Sequence, residues 1–480
     1  MKHKHFLALL ILVFSTLTGS TQTIVGSWKG DINAGGNPLP LVFHITQTNQ
    51  LWITKFDSPA QNALGIPTGS TRVINDSIYI TIPAISGGFK GKWNAKNQID
   101  GVFEQGNFNA PLVLSRTTET VKAITPKPII RPQTPKPPFD YTTEELSYTN
   151  ADQSVQFGAT LTLPKNKKNY PTVVLISGSG SQDRDGTLYD HKIYWVLADH
   201  LTKAGIGVLR VDDRGVGKTS LGPNPQSLTS KDFAKDVEAA VNFLLTRKEI
   251  NPKQIGLIGH SEGGAIAPMV AAQNKQIAFI CLLAGPGIPG HDIWNYQMRR
   301  NFIQEKLSAN DYAVAAALVN EMNNHFRYST QADSIKAGMQ NTYAKWKQAH
   351  PMADESKLFT VKGIDPYIGL VNQFKPALSW LQFFMNYDPV ENLSKLKIPI
   401  LALNGSADIQ VTATENINGI KQALTNGKNK KFEATILPNL NHLFQTCTSP
   451  TQPYGDIEES FSPTALWLIS NWINKTNSQK

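Results

Sequence analysis

Cysteine is almost missing from this chain. Its 480 residues hold two, Cys281 and Cys447. That excludes a disulfide-built scaffold and leaves no cysteine/histidine spacing able to hold a metal. Cys281 lies in an apolar stretch and reads as a core residue, while Cys447 lies in a loop, and nothing requires the two to pair. Long apolar runs are also missing, so no segment qualifies as a permanent membrane span. Charged residues make up only 17% of the chain. The formal charge is +9, falling to +7 without Lys2 and Lys4 (9 − 2 = 7), yet no basic cluster with interleaved aromatics is present. Nucleic acid is therefore not the expected partner. Neither G-x-x-x-x-G-K-[ST] nor a helix-opening G-x-G-x-x-G occurs, which argues against a nucleotide-phosphate cradle.

What is present divides the chain. Lys2 and Lys4, the apolar run 6–14 and the small residues 15–20 have the order of a signal peptide, expected over 1–21. The protein is accordingly expected to be exported, to the periplasm or outside the cell. No cysteine stands near the cleavage position, so a lipid anchor is not expected. Residues 23–116 carry short alternating stretches at 39–46, 51–56, 77–83, 88–93, 99–104 and 111–115, separated by turn residues. This pattern predicts a small antiparallel barrel or sandwich. Trp28, Trp52 and Trp93 either stack a sugar or lipid or fill its core, and aromatics at strand positions are more often core. Residues 117–140 hold six prolines, at 126, 128, 132, 135, 137 and 138, and read as a semi-stiff spacer. Part of the basic excess sits there, as Lys122, Lys127, Arg131 and Lys136. From 141 to 480, strands alternate with helices, which predicts a mainly parallel sheet with helices on both faces.

The chemistry concentrates at Gly259-His260-Ser261-Glu262-Gly263-Gly264, between an apolar strand and a helix. Strand, G-x-S-x-G and helix together form the context of a nucleophile elbow. The turn is tight, so Gly259 and Gly263 must carry no side chain, and Ser261 takes a strained backbone angle. Asp408 follows the apolar strand 401–403 and a small-residue turn. His442 follows a second strand end at 436–437. Ser261, Asp408 and His442 thus stand in the order Ser…Asp…His, which is neither the chymotrypsin nor the subtilisin order. The oxyanion donors are expected to be the backbone N–H of Glu262 and that of Ser179, with Gly180 as the alternative. Ser179 lies in the loop 177–185 after the strand 172–176. Asp212 and Asp213 also sit at a strand end. They precede Ser261, which fits a triad acid poorly, and with Arg214 they are expected to form an ion pair in the site wall. About 100 residues, at 287–390, lack strand pattern and show helical spacing. They are expected to form a helical cap, with Trp294, Tyr296, Phe326, Trp380, Phe383 and Phe384 as pocket lining or cap core.

The 177–185 loop, the segment 210–219 and the elbow together resemble secreted bacterial α/β-hydrolases of the serine aminopeptidase/carboxylesterase type, over roughly 141–475. Many of that type carry peptidase names, while tested relatives tend to be carboxylesterases. The family loop often begins His-Gly; here it begins Ser177-Gly178, which leaves the backbone donor intact. Gly26-Ser27-Trp28-Lys29-Gly30 is similar to the opening of lipocalin-like domains. The resemblance implies an α/β-hydrolase fold with a cap and a serine hydrolase that needs no cofactor or metal. Its expected substrates are short acyl or acylated-glycan esters. Two other readings stand beside it. An aminopeptidase would need an anion for the substrate α-amino group, with Glu262, Asp292 and Glu305 as candidates. An inactive hydrolase body could carry a β domain that binds a glycan or lipid. Oligomeric state is not legible.

Overall fold

The computed structural model describes residues 23–478, apart from 35–36, 49–50, 62, 86, 95, 106–107, 119–130 and 166–167. The expected signal peptide and the middle of the proline-rich stretch lie outside the described residues. The chain divides between Ile129 and Ile130 into two units.

In the first unit, alternation sets the architecture. Ile78, Ile80 and Ile82 point inward while Tyr79 and Thr81 point out, so one face of each strand is apolar. Among the described residues nine strands result: β1 (Gly26–Ala34), β2 (Asn37–Thr48), β3 (Leu51–Ser58), β4 (Ala63–Pro67), β5 (Thr71–Ile74), β6 (Ser77–Ile82), β7 (Gly87–Trp93), β8 (Gln98–Gln105) and β9 (Phe108–Thr117). They form one antiparallel sheet in the order β4-β3-β2-β1-β9-β8-β7-β6-β5. The sheet curls until its ends approach, where Thr71 Oγ1 donates to Thr54 Oγ1 at 2.9 Å and Thr68 Oγ1 to Thr54 O at 2.8 Å. Phe43, Phe56, Phe89 and Phe103 fill the enclosed face. Trp28 is fully buried, and its Nε1 donates to Ile24 O at 2.8 Å. Trp52 and Trp93 pack against the same core. The core reading of these tryptophans therefore holds. Three strands, β1, β4 and β5, escaped the alternation pattern: β1 is interrupted by glycine, and the other two are short.

The second unit begins earlier than expected. Arg131 donates to Tyr189 O, Gly455 O and Ile457 O at 2.9, 2.8 and 3.0 Å. Gln133 donates to Phe461 O at 2.7 Å and accepts from Ser460 N at 2.6 Å. The spacer expected over 117–140 is thus corrected at its C-terminal end. Proline supplies no N–H for docking, but the arginine and glutamine between the prolines supply side-chain donors.

From there run β10 (Tyr141–Thr149), β11 (Gln156–Pro164), β12 (Tyr170–Ile176), the short pair β13 (Thr187–Leu188) and β14 (His191–Lys192), α1 (Ile193–Lys203), β15 (Gly207–Val211), α2 (Ser230–Leu245), β16 (Ile250–His260), α3 (Gly263–Gln273) and β17 (Ile277–Leu283). A helical insertion follows: α4 (Gly290–Phe302), α5 (Ala309–Tyr328), α6 (Ala332–Ala349), α7 (Glu355–Leu358), α8 (Asp365–Phe374) and α9 (Leu378–Asn386). Then come α10 (Val390–Leu393), β18 (Ile400–Gly405), α11 (Ala413–Asn426), β19 (Phe432–Leu437) and α12 (Pro463–Ser478). The eight-stranded sheet has the order β10-β11-β15-β12-β16-β17-β18-β19. β10 and β11 run antiparallel, and every pair from β15 to β19 is parallel. β12 is buried along its whole length, as a strand covered on both faces must be. One face packs against α2, α3 and α11 through residues such as Val241, Val270 and Ile420. The other packs against α1 and α12 through Leu197, Leu201, Ile469 and Ile473. The insertion has a core of its own, around Met298, Leu318, Met322, Phe326 and Leu381. Both cysteines are free thiols, and burial raises the pKa of each.

Candidate active site

β16 delivers Ser261 with φ +54°, a left-handed angle that non-glycine residues rarely adopt. The turn is held by Ser261 N–H donating to Leu283 O at 2.9 Å and Gly264 N–H donating to Ser261 O at 2.8 Å. Strand and helix approach so closely that a Cβ on Gly259 would lie 2.0 Å from Gly263 O. A Cβ on Gly263 would lie 2.4 Å from Ile176 O. Gly259→Ala is therefore expected to cost about 3 kcal/mol or more of stability, since backbone must move on both sides. A chemical-denaturation curve checks this, and a shift below about 1 kcal/mol would contradict the close packing.

Asp408 and His442, 34 residues apart in sequence, meet in the interior: His442 Nδ1 lies 2.7 Å from Asp408 Oδ2. The two residues are 3% and 5% exposed, so the bond is shielded from water. The other carboxylate oxygen, Oδ1, accepts Gln410 N–H at 2.8 Å and Val411 N–H at 3.0 Å. These bonds lock the carboxylate. Since it can only accept, Nδ1 carries the imidazole proton, and neutral His442 keeps its lone pair at Nε2.

The 177–182 loop follows β12 and presses on the elbow; a Cβ on Gly178 would sit 3.1 Å from Ser261 Cβ. Asp213 clamps both ends of the loop. Its Oδ1 accepts Ser177 Oγ–H at 2.6 Å and its Oδ2 accepts Gln182 N–H at 2.8 Å. Among the described residues, the N–H groups of Ser179 and Glu262 have no protein acceptor, as oxyanion donors require.

The expected ion pair among Asp212, Asp213 and Arg214 does not form. Asp212 pairs with Arg184, with Nη2 2.5 Å from Oδ2. Arg214 pairs with Asp236 at 2.6 Å. β15 ends at Val211 and the chain turns from Asp213 to Val216, so each of the three side chains meets different partners. Asp213 keeps neutral donors only. Burial, reinforced by the negative charges of Glu262 and Asp236, pushes its pKa up to about 7. An acid raised in this way costs stability as pH rises from its ordinary value through 7. Asp213→Asn is accordingly expected to flatten the fall in Tm between about pH 5 and pH 8. Melting curves at both pH values check this; an unchanged slope would refute it.

The Glu262 side chain was legible only as a candidate anion. It is buried, accepting Ser230 Oγ–H at 2.6 Å and Trp380 Nε1–H at 2.8 Å, so it ties α9 to the elbow. Burial raises its pKa, while the bonds from Ser230, Trp380 and Ser179 oppose that shift. Asp292 and Glu305 are exposed and do not line the site. A cavity of about 830 Å³ opens over Ser261 and His442, with Ser179, Gly180 and Glu262 in its wall. Of the six aromatics expected as lining, Trp294, Trp380 and Phe384 border it. Phe326 lies in the insertion core, Phe383 packs against the Ala265 and Tyr387 cluster, and Tyr296 is not in the wall. A helix shows its neighbours a stripe of side chains, and spacing alone does not say which stripe faces the cavity.

The chain is similar to several known proteins. Residues 186–446 match the family described as serine aminopeptidase, S33. Esterase EstD of Thermotoga maritima is 25% identical over 316 residues, 64% of each chain. The proline iminopeptidase of Lactobacillus helveticus is 23% identical over 248 residues, 50% of this chain and 74% of that one. The chain thus spans just under two thirds of EstD's length. Among solved structures, a hypothetical protein from Pseudomonas aeruginosa is similar with a TM-score of 0.43 and 14% identity, covering 72% of this chain and 96% of that one. A Pyrococcus furiosus esterase has a TM-score of 0.38 and 15% identity, covering 62% and 83%. With more than half its length matched, the chain belongs to the serine aminopeptidase S33 family and is an α/β hydrolase.

Proposed function

We propose that the protein cleaves carboxylic esters through an acyl-enzyme on Ser261. The observation that carries this reading is the buried 2.7 Å bond between His442 and Asp408, at the cavity that also holds the strained Ser261. Ser261 Oγ attacks the carbonyl carbon while His442 Nε2 takes its proton. Asp408 stabilises the resulting imidazolium. The backbone N–H groups of Glu262 and Ser179 hold the oxyanion, an effect typically worth about 3 kcal/mol per donor. The tetrahedral intermediate collapses, the C–O bond breaks, and His442 returns the proton to the leaving alkoxide. Water, activated by the same imidazole, then releases the acid. The helical insertion acts as a cap that limits water and shapes the acyl pocket. Trp294, Trp380 and Phe384 make that pocket apolar, which suits a short to medium acyl chain.

An aminopeptidase reading is favoured by the family description and by the iminopeptidase relative. It needs an uncommitted carboxylate for an α-ammonium group. Glu262 is already bonded to Ser230 and Trp380, the wall carboxylates Asp212, Asp236 and Asp213 are held by Arg184, Arg214 and the 177–182 loop, and the two cap acids lie outside the cavity wall. The ester reading is therefore the better supported. Export fits the leader-like residues 1–21, and no helix among the described residues is long and apolar enough to cross a membrane. Glycan esters are candidate natural substrates, and a binding role for the β unit stands beside catalysis.

The test is hydrolysis of p-nitrophenyl esters from acetate to decanoate beside aminoacyl p-nitroanilides. Ester turnover with silent anilides is expected, and the chain-length optimum sizes the pocket. Anilide turnover of equal efficiency would replace the reading by the peptidase one.

A further inference from the structure

A buried hydrogen-bond chain runs behind the nucleophile, from the oxyanion loop to the main chain of the base. Gly178 N–H donates to Tyr194 Oη at 3.2 Å. Tyr194 Oη lies 3.4 Å from His260 Nδ1, and His260 Nε2 lies 2.8 Å from the carbonyl oxygen of His442. Tyr194 and His260 are each 6% exposed.

Chemistry dictates the direction of every link. A carbonyl oxygen only accepts, so His260 Nε2 must carry a proton. Neutral imidazole then offers only a lone pair at Nδ1, and Tyr194 must donate its hydroxyl proton there. That leaves the Tyr194 oxygen to accept from Gly178. The chain admits one tautomer and one hydroxyl orientation. An imidazolium would carry protons at both nitrogens and break the Tyr194 link. Burial, with His442 close by, lowers the His260 pKa to about 4, so the neutral form prevails under ordinary assay conditions.

The two ends of this chain are the parts whose spacing matters most. Gly178 immediately precedes Ser179, the oxyanion donor of the esterase reading, and His442 is its base. His260 joins them from the residue next to Ser261. Its ring lies 4.9 Å from that of His442, centroid to centroid. We propose that Tyr194 and His260 are positioning residues that hold the oxyanion donor and the general base in register across the nucleophile. This rests on the esterase reading above. Each is assigned to act through the backbone it bonds, Tyr194 through Gly178 N–H and His260 through the His442 carbonyl.

The experiment uses the full chain and the Tyr194→Phe, His260→Gln and His260→Phe variants. The readouts are kcat and KM on the best p-nitrophenyl ester, Ki for an alkylboronic acid, and Tm. A boronic acid adds to Ser261 Oγ and imitates the tetrahedral oxyanion, whereas KM reports mainly ground-state contacts. Tyr194→Phe removes only the hydroxyl. It is expected to lower kcat about 10-fold and raise the boronate Ki by a similar factor, with KM within about 2-fold. His260→Gln keeps both a donor for the His442 carbonyl and an acceptor for Tyr194, so it should retain most of the turnover that His260→Phe loses. The proposal is overturned if Tyr194→Phe keeps wild-type kcat and boronate affinity. It is also overturned if His260→Gln and His260→Phe lose turnover equally, in step with Tm, because that is what packing alone would give. A wild-type protein that neither hydrolyses esters nor takes a fluorophosphonate label on Ser261 would remove the esterase reading and the relay with it. Loss of the relay alone shows only against an active wild type.

Discussion

Ser261→Ala is expected to reduce ester turnover by at least about 10⁴-fold while the protein stays folded. The loss is large because the hydroxyl oxygen is the atom that forms the acyl bond, and nothing else at the elbow replaces it. The Glu262 carboxylate beside it is buried and already accepts from Ser230 and Trp380. Stability should barely change. Serine and alanine both carry a Cβ, so the strain at φ +54° is common to them. The backbone bonds to Leu283 and Gly264 do not involve the side chain. Steady-state kinetics, fluorophosphonate labelling and a melting curve check the three parts together. Retained turnover in a folded variant would sink the mechanism. Lost turnover with a collapsed Tm would point to the turn rather than the nucleophile.

Asp408→Asn is expected to lower kcat by about 10⁴-fold near neutral pH, with the fold intact. The reason lies in how Asp408 is held. Its Oδ1 accepts two backbone N–H groups, from Gln410 and Val411. In asparagine the carbonyl oxygen must stay with those donors, since the NH₂ group placed there would face two N–H groups. The NH₂ therefore turns toward His442 Nδ1, where a second N–H is not tolerated. The imidazole proton shifts to Nε2, and the lone pair that would accept the Ser261 proton is gone. The defect should ease at high pH, where the serine can lose its proton to solvent base. Measuring kcat from pH 6 to 10 reads this directly. Near-normal turnover at pH 7 would show that Asp408 does not set the tautomer.

The legible part of the molecule was whatever short-range sterics decide. Gly259-His260-Ser261-Glu262-Gly263 announces its own geometry, because a strand that reverses into a helix within five residues leaves no room for a side chain at its two flanks, Gly259 and Gly263. The strand-end positions of Asp408 and His442 were visible for a similar reason: apolar runs of strand length ended in small residues or in a polar turn. Helix α9 (Leu378–Asn386) could be read from apolar spacing alone. Strands β1, β4 and β5 could not, since glycine breaks the alternation or the run is too short to show a period.

Sequence alone determined the reaction class, the order of Ser261, Asp408 and His442, and the alternation of strand and helix that carries them. These depend on neighbours within a few residues. Only the tertiary structure decided which charges pair and which side chains support the site. Asp212 chose Arg184, Arg214 chose Asp236, and Asp213 was left to hold the 177–182 loop through neutral donors. Glu262 met Trp380 from 118 residues away, and His260 met the His442 carbonyl across 182. A buried polar group must find a partner or lose several kcal/mol of solvation. Which partner it finds is set by the elements that packing brings alongside, and local pattern carries no record of that choice.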